Sequence, residues 1–388
     1  MVRDPRRGRR ARHLGAGDLM ATGEVPAQTS GDAAAGHAPP NGAVLVVTDD
    51  RHRLHHPSYE LNGGRTVTPP ESPERLDALV TAVASAGHEL TTPVAHPDDA
   101  VLAVHDAGMV RFLREGHAAW VAAGGAEVMI PDTFPSPRWA EGGRRSDAPL
   151  GVPGWWCFDT ATPIVAGSWT AARAGVDVAL TAAGLVRDGA PVAYALTRPP
   201  GHHAGPDYLG GFCLLNPAAI TARSLTDGGH VAVLDLDVHH GNGTQDVFWR
   251  DPAVLYASVH GGPQHLYPFF SGFDDEVGAG PGRGTTRNLP LPAGTGDAGW
   301  TAAVEVAVDA VAAHRPATLV VSLGFDAAEP DPIGDLAVSR AGYHRAGELV
   351  AELATPTVLV QEGGYAVDAL GGLVASFLAG VTGRPLEP

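Results

Sequence analysis

The 388-residue chain is 44% hydrophobic and 18% charged, a balance that supports a packed core and excludes global disorder. Its 26 Lys+Arg against 43 Asp+Glu leave a net charge of −17, which argues against nucleic acid as a direct partner, because phosphate binding needs clustered cations, and is compatible with a cationic substrate. Two cysteines without a C-x-x-C give neither a disulfide framework nor a thiolate zinc site, so a reducing, cytoplasmic location is expected.

In chain order, residues 1–40 come first, with six arginines (Arg3, Arg6, Arg7, Arg9, Arg10, Arg12) against four acids (Asp4, Asp18, Glu24, Asp32). The stretch is rich in Ala, Gly and Pro and has no periodicity, so it reads as a disordered tail; a translated upstream region without a role, or a nucleic-acid arm, are the other readings. No apolar stretch follows its arginines, so no secretory signal is expected. No run in the chain approaches the roughly 20 apolar residues of a membrane-spanning helix.

Strand and helix signals alternate through the remainder, 41–388. Short, unbroken apolar runs at 43–48, 192–196, 231–236, 254–259, 319–323 and 357–360 read as strands of a parallel sheet covered on both faces. Ser72-Pro73-Glu74 starts a helix, with serine as N-cap and proline at the first position. Further helices are expected over 163–184, 217–225, 301–314, 339–353 and 367–378. The stretch 124–156 fits neither period. It carries Pro131, Pro135, Pro137, Gly142, Gly143, Pro149, Pro153 and Trp155-Trp156, and a loop of that length inside a compact domain is functional or disordered. The prediction is a single three-layer α/β/α domain.

Ligands of open α/β sheets bind where the strands' carboxyl ends emerge, and the chemistry-bearing residues cluster there. The strand 231–236 runs into Asp235-Leu236-Asp237-Val238-His239-His240-Gly241-Asn242. Asp237 and His239, two apart, share a face and suit a borderline metal such as zinc. The strand 319–323 leads to Asp326, a third ligand that leaves a coordination position open, as catalytic zinc requires. A lone D-x-H fits a salt bridge beside a surface histidine equally well. Next to the strand 192–196, Arg198-Pro199-Pro200-Gly201-His202-His203 places two imidazoles in a Pro/Gly-fixed loop, suited to acid–base work near neutral pH; two solvated loop histidines are the alternative. After 357–360 comes Gln361-Glu362-Gly363-Gly364-Tyr365, whose phenol could stabilise an oxyanion or simply be a buried tyrosine.

Together, in order and approximate spacing, Arg198–Ala204, Asp235–Thr244, Gly324–Pro332 and Glu362–Tyr365 resemble the histone deacetylase superfamily. The resemblance covers about 43–378. It implies the arginase/deacetylase fold, with a central, mostly parallel eight-stranded sheet, and makes 41–388 a deacetylase catalytic domain. It also implies zinc on Asp237, His239 and Asp326, with His203 as general base and then acid, and His202 as its electrostatic partner. Asp235 would hydrogen-bond His202, and Tyr365 would complete the oxyanion contact. The partner of His203 would be Asn242, where some members carry aspartate; an amide cannot bias the ring toward imidazolium. A structural potassium would sit behind the zinc on Asp235, Asp237, His239, Ser258 and Val259. Phe212, beside Gly211, would line the substrate channel on one side, with Phe269 or Phe270 opposite.

Three details resemble the acetylpolyamine amidohydrolases in particular. They are His56-Pro57 followed by Glu60–Arg65 and Glu71–Arg75, the run Tyr267–Gly272, and the long loop closing on Gly154–Thr160. In those relatives a comparable insertion narrows the mouth and helps form a homodimer. The expected enzyme is a zinc-dependent amidohydrolase acting on small acylated amines such as acetylpolyamines. The alternative is a peptide acetyl-lysine deacetylase. Glu115, Glu127 and Asp132 are candidate acids at the mouth, though each reads equally as a solvated charge. A ureohydrolase would need a two-metal cluster that 324–331 does not supply, and a non-catalytic binder would have no use for the full set of six polar residues.

Overall fold

The computed structural model describes residues 42–387; the segment read as a tail lies outside them. Eight strands form one sheet: β1 (Leu45–Val47), β4 (Glu89–Thr91), β5 (Val192–Ala195), β6 (Val231–Asp235), β7 (Val254–Gly261), β8 (Thr286–Leu291), β9 (Thr318–Leu323) and β10 (Thr357–Gln361). A separate antiparallel hairpin joins β2 (Glu60–Asn62) to β3 (Arg65–Val67). The sheet order is β4-β1-β5-β10-β9-β6-β7-β8, and every neighbouring pair is parallel.

Burial explains why the inner strands read as unbroken apolar runs. Every residue of β6, β7 and β10 is buried. Because side chains alternate across a strand, Val231 and Val233 enter the core on one face while Ala232 and Leu234 enter the other. The first face is covered by helices Ala107–Ala122, Ser168–Arg187 and Pro217–Leu225, and the second by Pro73–Ser85, Asp297–His314, Arg340–Glu352 and Val367–Val381. Parallel strands need such crossover helices, and together they give the three layers read from the sequence.

The sequence pattern missed the two edge strands of the sheet, as well as helix Ala107–Ala122 and the β2–β3 hairpin. All three residues of β4 are exposed, and β8 carries Pro290 with its last three residues half-buried, so neither shows an apolar run. Edge positions allow both the exposure and the proline. The stretch 124–156 is loop as expected, apart from a 3-10 turn at Ala140–Gly142 and a helical turn at Pro153–Trp156. It is pinned at both ends: Met129 exchanges backbone hydrogen bonds with Ile164, and Met129 and Trp156 are buried. Helix Ser168–Arg187 starts five residues later than expected, after Pro163 and Gly167.

Leu359, wholly buried in β10, tests the central packing. Leu359→Ala is expected to lower unfolding free energy by about 2–5 kcal/mol, read from the midpoint shift in urea unfolding.

Candidate active site

Strands β5, β6, β9 and β10 all deliver their carboxyl ends to one edge of the sheet. The β6 extension keeps strand alternation past its last residue: Leu234, Leu236 and Val238 join the core, which turns Asp235, Asp237 and His239 the other way. One ligand atom each from Asp237, His239 and Asp326 lies within 4.8 Å of the other two. The His239 ring nitrogen Nδ1 is 3.2 Å from Asp237 Oδ1 and 3.2 Å from Asp326 Oδ2. Backbone amides orient the carboxylates: His239 N–H and Gly363 N–H donate to Asp237, and Val238 N–H donates to Asp326. Glycine is needed at 363, because a Cβ there would sit 2.2 Å from Asp326 Oδ2 and 2.6 Å from Asp237 Oδ2.

This cluster fits a divalent metal. All three side chains are buried, at 1%, 6% and 0% exposure, and among the described residues no Lys or Arg pairs with them. Burial and the neighbouring Asp237 charge push Asp326 up. Burial opposes a charged His239, yet the two carboxylates still drive that ring up to about 10. The group is built to hold positive charge in their midst, and two oxygens plus one imidazole nitrogen are a donor set zinc accepts.

The histidine pair lies beside the cluster, with ring centroids 4.1 Å apart. Glu362 fixes their loop by accepting from Gly201 N–H at 2.6 Å and His202 N–H at 3.1 Å. His202 Nδ1 is 3.0 Å from Asp235 Oδ2, and His203 Nδ1 is 2.7 Å from Asn242 Oδ1. The different partners send the two rings in opposite directions. His202, despite burial, is raised to about 10 by Asp237 and Asp235. His203 is held well below the usual imidazole range by burial and the charges of His202 and His239. Adjacent groups driven apart in this way mark acid–base sites.

Tyr365 is 7% exposed. Its backbone N–H donates to Asp331 at 2.6 Å, and its ring lies under the Arg75 guanidinium at 4.5 Å. Its hydroxyl makes no hydrogen bond with other described residues. Arg75 also donates to the carbonyls of Glu362 and Gly364. The buried Glu71 is gripped by Arg75 at 2.9 Å and Arg198 at 2.8 Å; burial raises its pKa, but the two guanidiniums outweigh that and lower it.

The channel walls agree only in part with expectation. Phe212 is buried, its ring 5.6 Å from that of Tyr365, and its positive φ of 65° holds it in a backbone region unfavourable for a bulky residue. Gly211 passes so close to His203 that a Cβ would fall 2.3 Å from the ring. The opposite wall differs. Phe270 is 91% exposed and Phe269 49%, whereas the Tyr267 ring stands 5.0 Å from His203 and 6.2 Å from His239. The run Tyr267-Pro268-Phe269-Phe270 offered three aromatics, and composition alone could not say which one turns inward.

Asp159 is a further residue that sequence reasoning passed over. It accepts from Gly211 N–H at 2.7 Å and Tyr267 O–H at 2.8 Å, tying one wall to the other. Its only sequence signal was its place at the end of the long loop. Ser258 pairs in register with Asp235, and its hydroxyl meets His260 Nδ1 at 2.8 Å; Val259 is fully buried beside it. Glu115, Glu127 and Asp132 are exposed. Glu115 faces a surface cavity of about 240 Å³ that also contains Arg111 and Arg145.

Residues 69–381 match the histone deacetylase domain. Acetylpolyamine amidohydrolase 1 of Pseudomonas aeruginosa is 43% identical over 343 residues, covering 88% of this chain and 99% of the relative. The acetylpolyamine amidohydrolase of Mycoplana ramosa is 39% identical, with 88% and 100% covered. The crystal structure of an acetylpolyamine aminohydrolase from Burkholderia pseudomallei superposes with a TM-score of 0.84 at 40% identity, over 87% of this chain and 98% of that one.

Gly363→Ala is expected to weaken divalent-metal binding at least about tenfold, the scale on which disturbed ligand positioning acts. Competition with a chromophoric chelator measures it.

Proposed function

We propose, from the premise that this chain belongs to the histone deacetylase domain family, that it is a zinc-dependent amidohydrolase releasing acetate from small N-acetylated amines such as acetylpolyamines. The observation that carries the reading is the buried Asp237–His239–Asp326 cluster beside two histidines of opposite proton affinity. The several amidohydrolase relatives matched over almost their whole length support the substrate class.

Zinc on Asp237, His239 and Asp326 would supply Lewis acidity, polarising a carbonyl and acidifying water. His203, uncharged at neutral pH and with Nδ1 committed to Asn242, offers Nε2 to take the proton of the attacking water. The same atom returns that proton to the amine nitrogen as the C–N bond breaks. His202, kept cationic by Asp235 and Asp237, adds a fixed positive charge where negative charge develops. The Tyr365 hydroxyl donates to the former carbonyl oxygen, and the cation over its ring strengthens that donation. Phe212 and Tyr267 enclose the acyl-bearing chain between aromatic faces and exclude water.

The long loop supports a narrow mouth. Leu209 N–H donates to Trp156 O at 2.7 Å and Phe158 N–H to Leu209 O at 3.0 Å, so its end is laced to the segment leading into Phe212. Such an entrance favours slender amines over folded protein tails. The same loop is the surface on which we place a homodimer contact. A structural potassium belongs to the proposal, held by Asp235, Asp237, His239, Ser258 and Val259, as does a cytoplasmic location. No helix among the described residues is long and apolar enough to cross a membrane.

His203→Ala is expected to lower kcat on acetylputrescine by about 10²–10⁴-fold, and Tyr365→Phe by about 10²–10³-fold; a chelator should abolish turnover and added zinc restore it. Steady-state acetate release reads all three. Turnover of acetylputrescine and acetylspermidine above that of an acetyl-lysine peptide is the expected order, and the reverse order would replace the small-amine reading with the peptide one.

A further inference from the structure

The partner of His203 is an amide, and an amide has a right and a wrong way round. With Oδ1 toward the ring, Asn242 accepts from Nδ1–H and leaves the Nε2 lone pair free. With Nδ2 toward the ring, it donates to Nδ1, the proton moves to Nε2, and the base is lost. Something must hold the first orientation. Around Asn242, Nδ2 reaches Tyr208 Oη at 3.3 Å and the His203 carbonyl at 3.5 Å. Tyr208 Oη in turn lies 2.6 Å from Asp246 Oδ2. The Asn242 carbonyl also lies 3.2 Å from Tyr208 Oη; a carboxylate and a carbonyl can only accept, so the phenol proton is spent on one of them, and the shorter bond gives it to Asp246. The phenol oxygen is then left to accept from Asn242 Nδ2. The direction of every bond is set from the carboxylate inward: Asp246 accepts from Tyr208, Tyr208 from Asn242, and Asn242 from His203.

We propose that Tyr208 and Asp246 are positioning residues for the base, a side-chain relay that fixes the amide of Asn242 and through it the Nδ1–H tautomer of His203. Tyr208 is suited to the task. Its ring is held edge-on by Phe158 at 5.6 Å, and a Cβ at Gly205 would fall 2.3 Å from its ring, so the phenol has one seat. Asp246 lies one turn along the helix Asn242–Phe248 that Asn242 begins, so the amide and the carboxylate are set by the same backbone. Where a carboxylate replaces the amide, both oxygens accept and no orientation needs guarding. The relay is therefore tied to asparagine at 242.

The proposal rests on His203 as proton acceptor, and the experiment separates the two. His203→Ala without loss of turnover would sink the base reading itself. With that loss in hand, Tyr208→Phe is expected to lower kcat on acetylputrescine about tenfold, the scale of one neutral hydrogen bond, with KM and zinc content within twofold of the parent. In an Asn242→Asp background the same substitution is expected to change kcat less than twofold. Independently of activity, ¹⁵N-histidine spectra, with His203 assigned by its loss in His203→Ala, are expected to show the Nδ1–H tautomer in the parent and a mixture in Tyr208→Phe. A kcat for Tyr208→Phe within twofold of the parent, an equal loss in both backgrounds, or an unchanged tautomer overturns the relay.

Discussion

Two carboxylates, Asp237 and Asp326, lie side by side at the carboxyl ends of the buried inner strands with a single imidazole between them. Burying ionised groups is costly unless opposite charge or directed hydrogen bonds meet them, and most of the surrounding architecture answers that cost. Three backbone amides point into the pair, and glycine at 363 keeps a side chain out. The long-range electrostatics follow the same logic. Asp237 raises His202 as well as His239, so the charge that attracts a cation also prepares the neighbouring histidine.

That shared charge separates the duties of two rings that look equivalent in the sequence. One sits on Asp235 and stays protonated; the other sits on an amide and stays neutral. Electrostatics alone would make His203 a weak base, because His202 and His239 both oppose its protonation. A base of low affinity returns its proton readily, which suits a reaction whose second half protonates an amine leaving group. In the proposed mechanism the amide at 242 thus has a part and is no defect.

Much of this was legible before any coordinates. The inner strands announced themselves because both their faces are covered, and the Asp237–His239–Asp326 cluster and the histidine pair could be read because they sit where those strands end. Two physical causes account for the strands and side chains that escaped. Strands β4 and β8 lie at sheet edges, where one side faces solvent and the apolar pattern lapses. Tyr267, Asp159 and Tyr208 act through contacts between segments far apart in the chain: Tyr267 with Asp159 across 108 residues and Tyr208 with Asp246 across 38. No local pattern encodes such pairs. The inward turn of Tyr267 rather than Phe270 is a matter of backbone path, which residue type does not disclose.

Glu71 and its two arginines have a bearing on how the molecule is made. Arg75, near the start of the described chain, clamps the carbonyls of Glu362 and Gly364, bonds that span 287 and 289 residues. The Tyr365 arm is therefore synthesised long after the cationic seat onto which it docks. A chain stopped short of β10 would lack the strand that joins β5 to β9, and it would leave that seat vacant, without Tyr365. Under the proposed mechanism such a truncated product is inert rather than partly active.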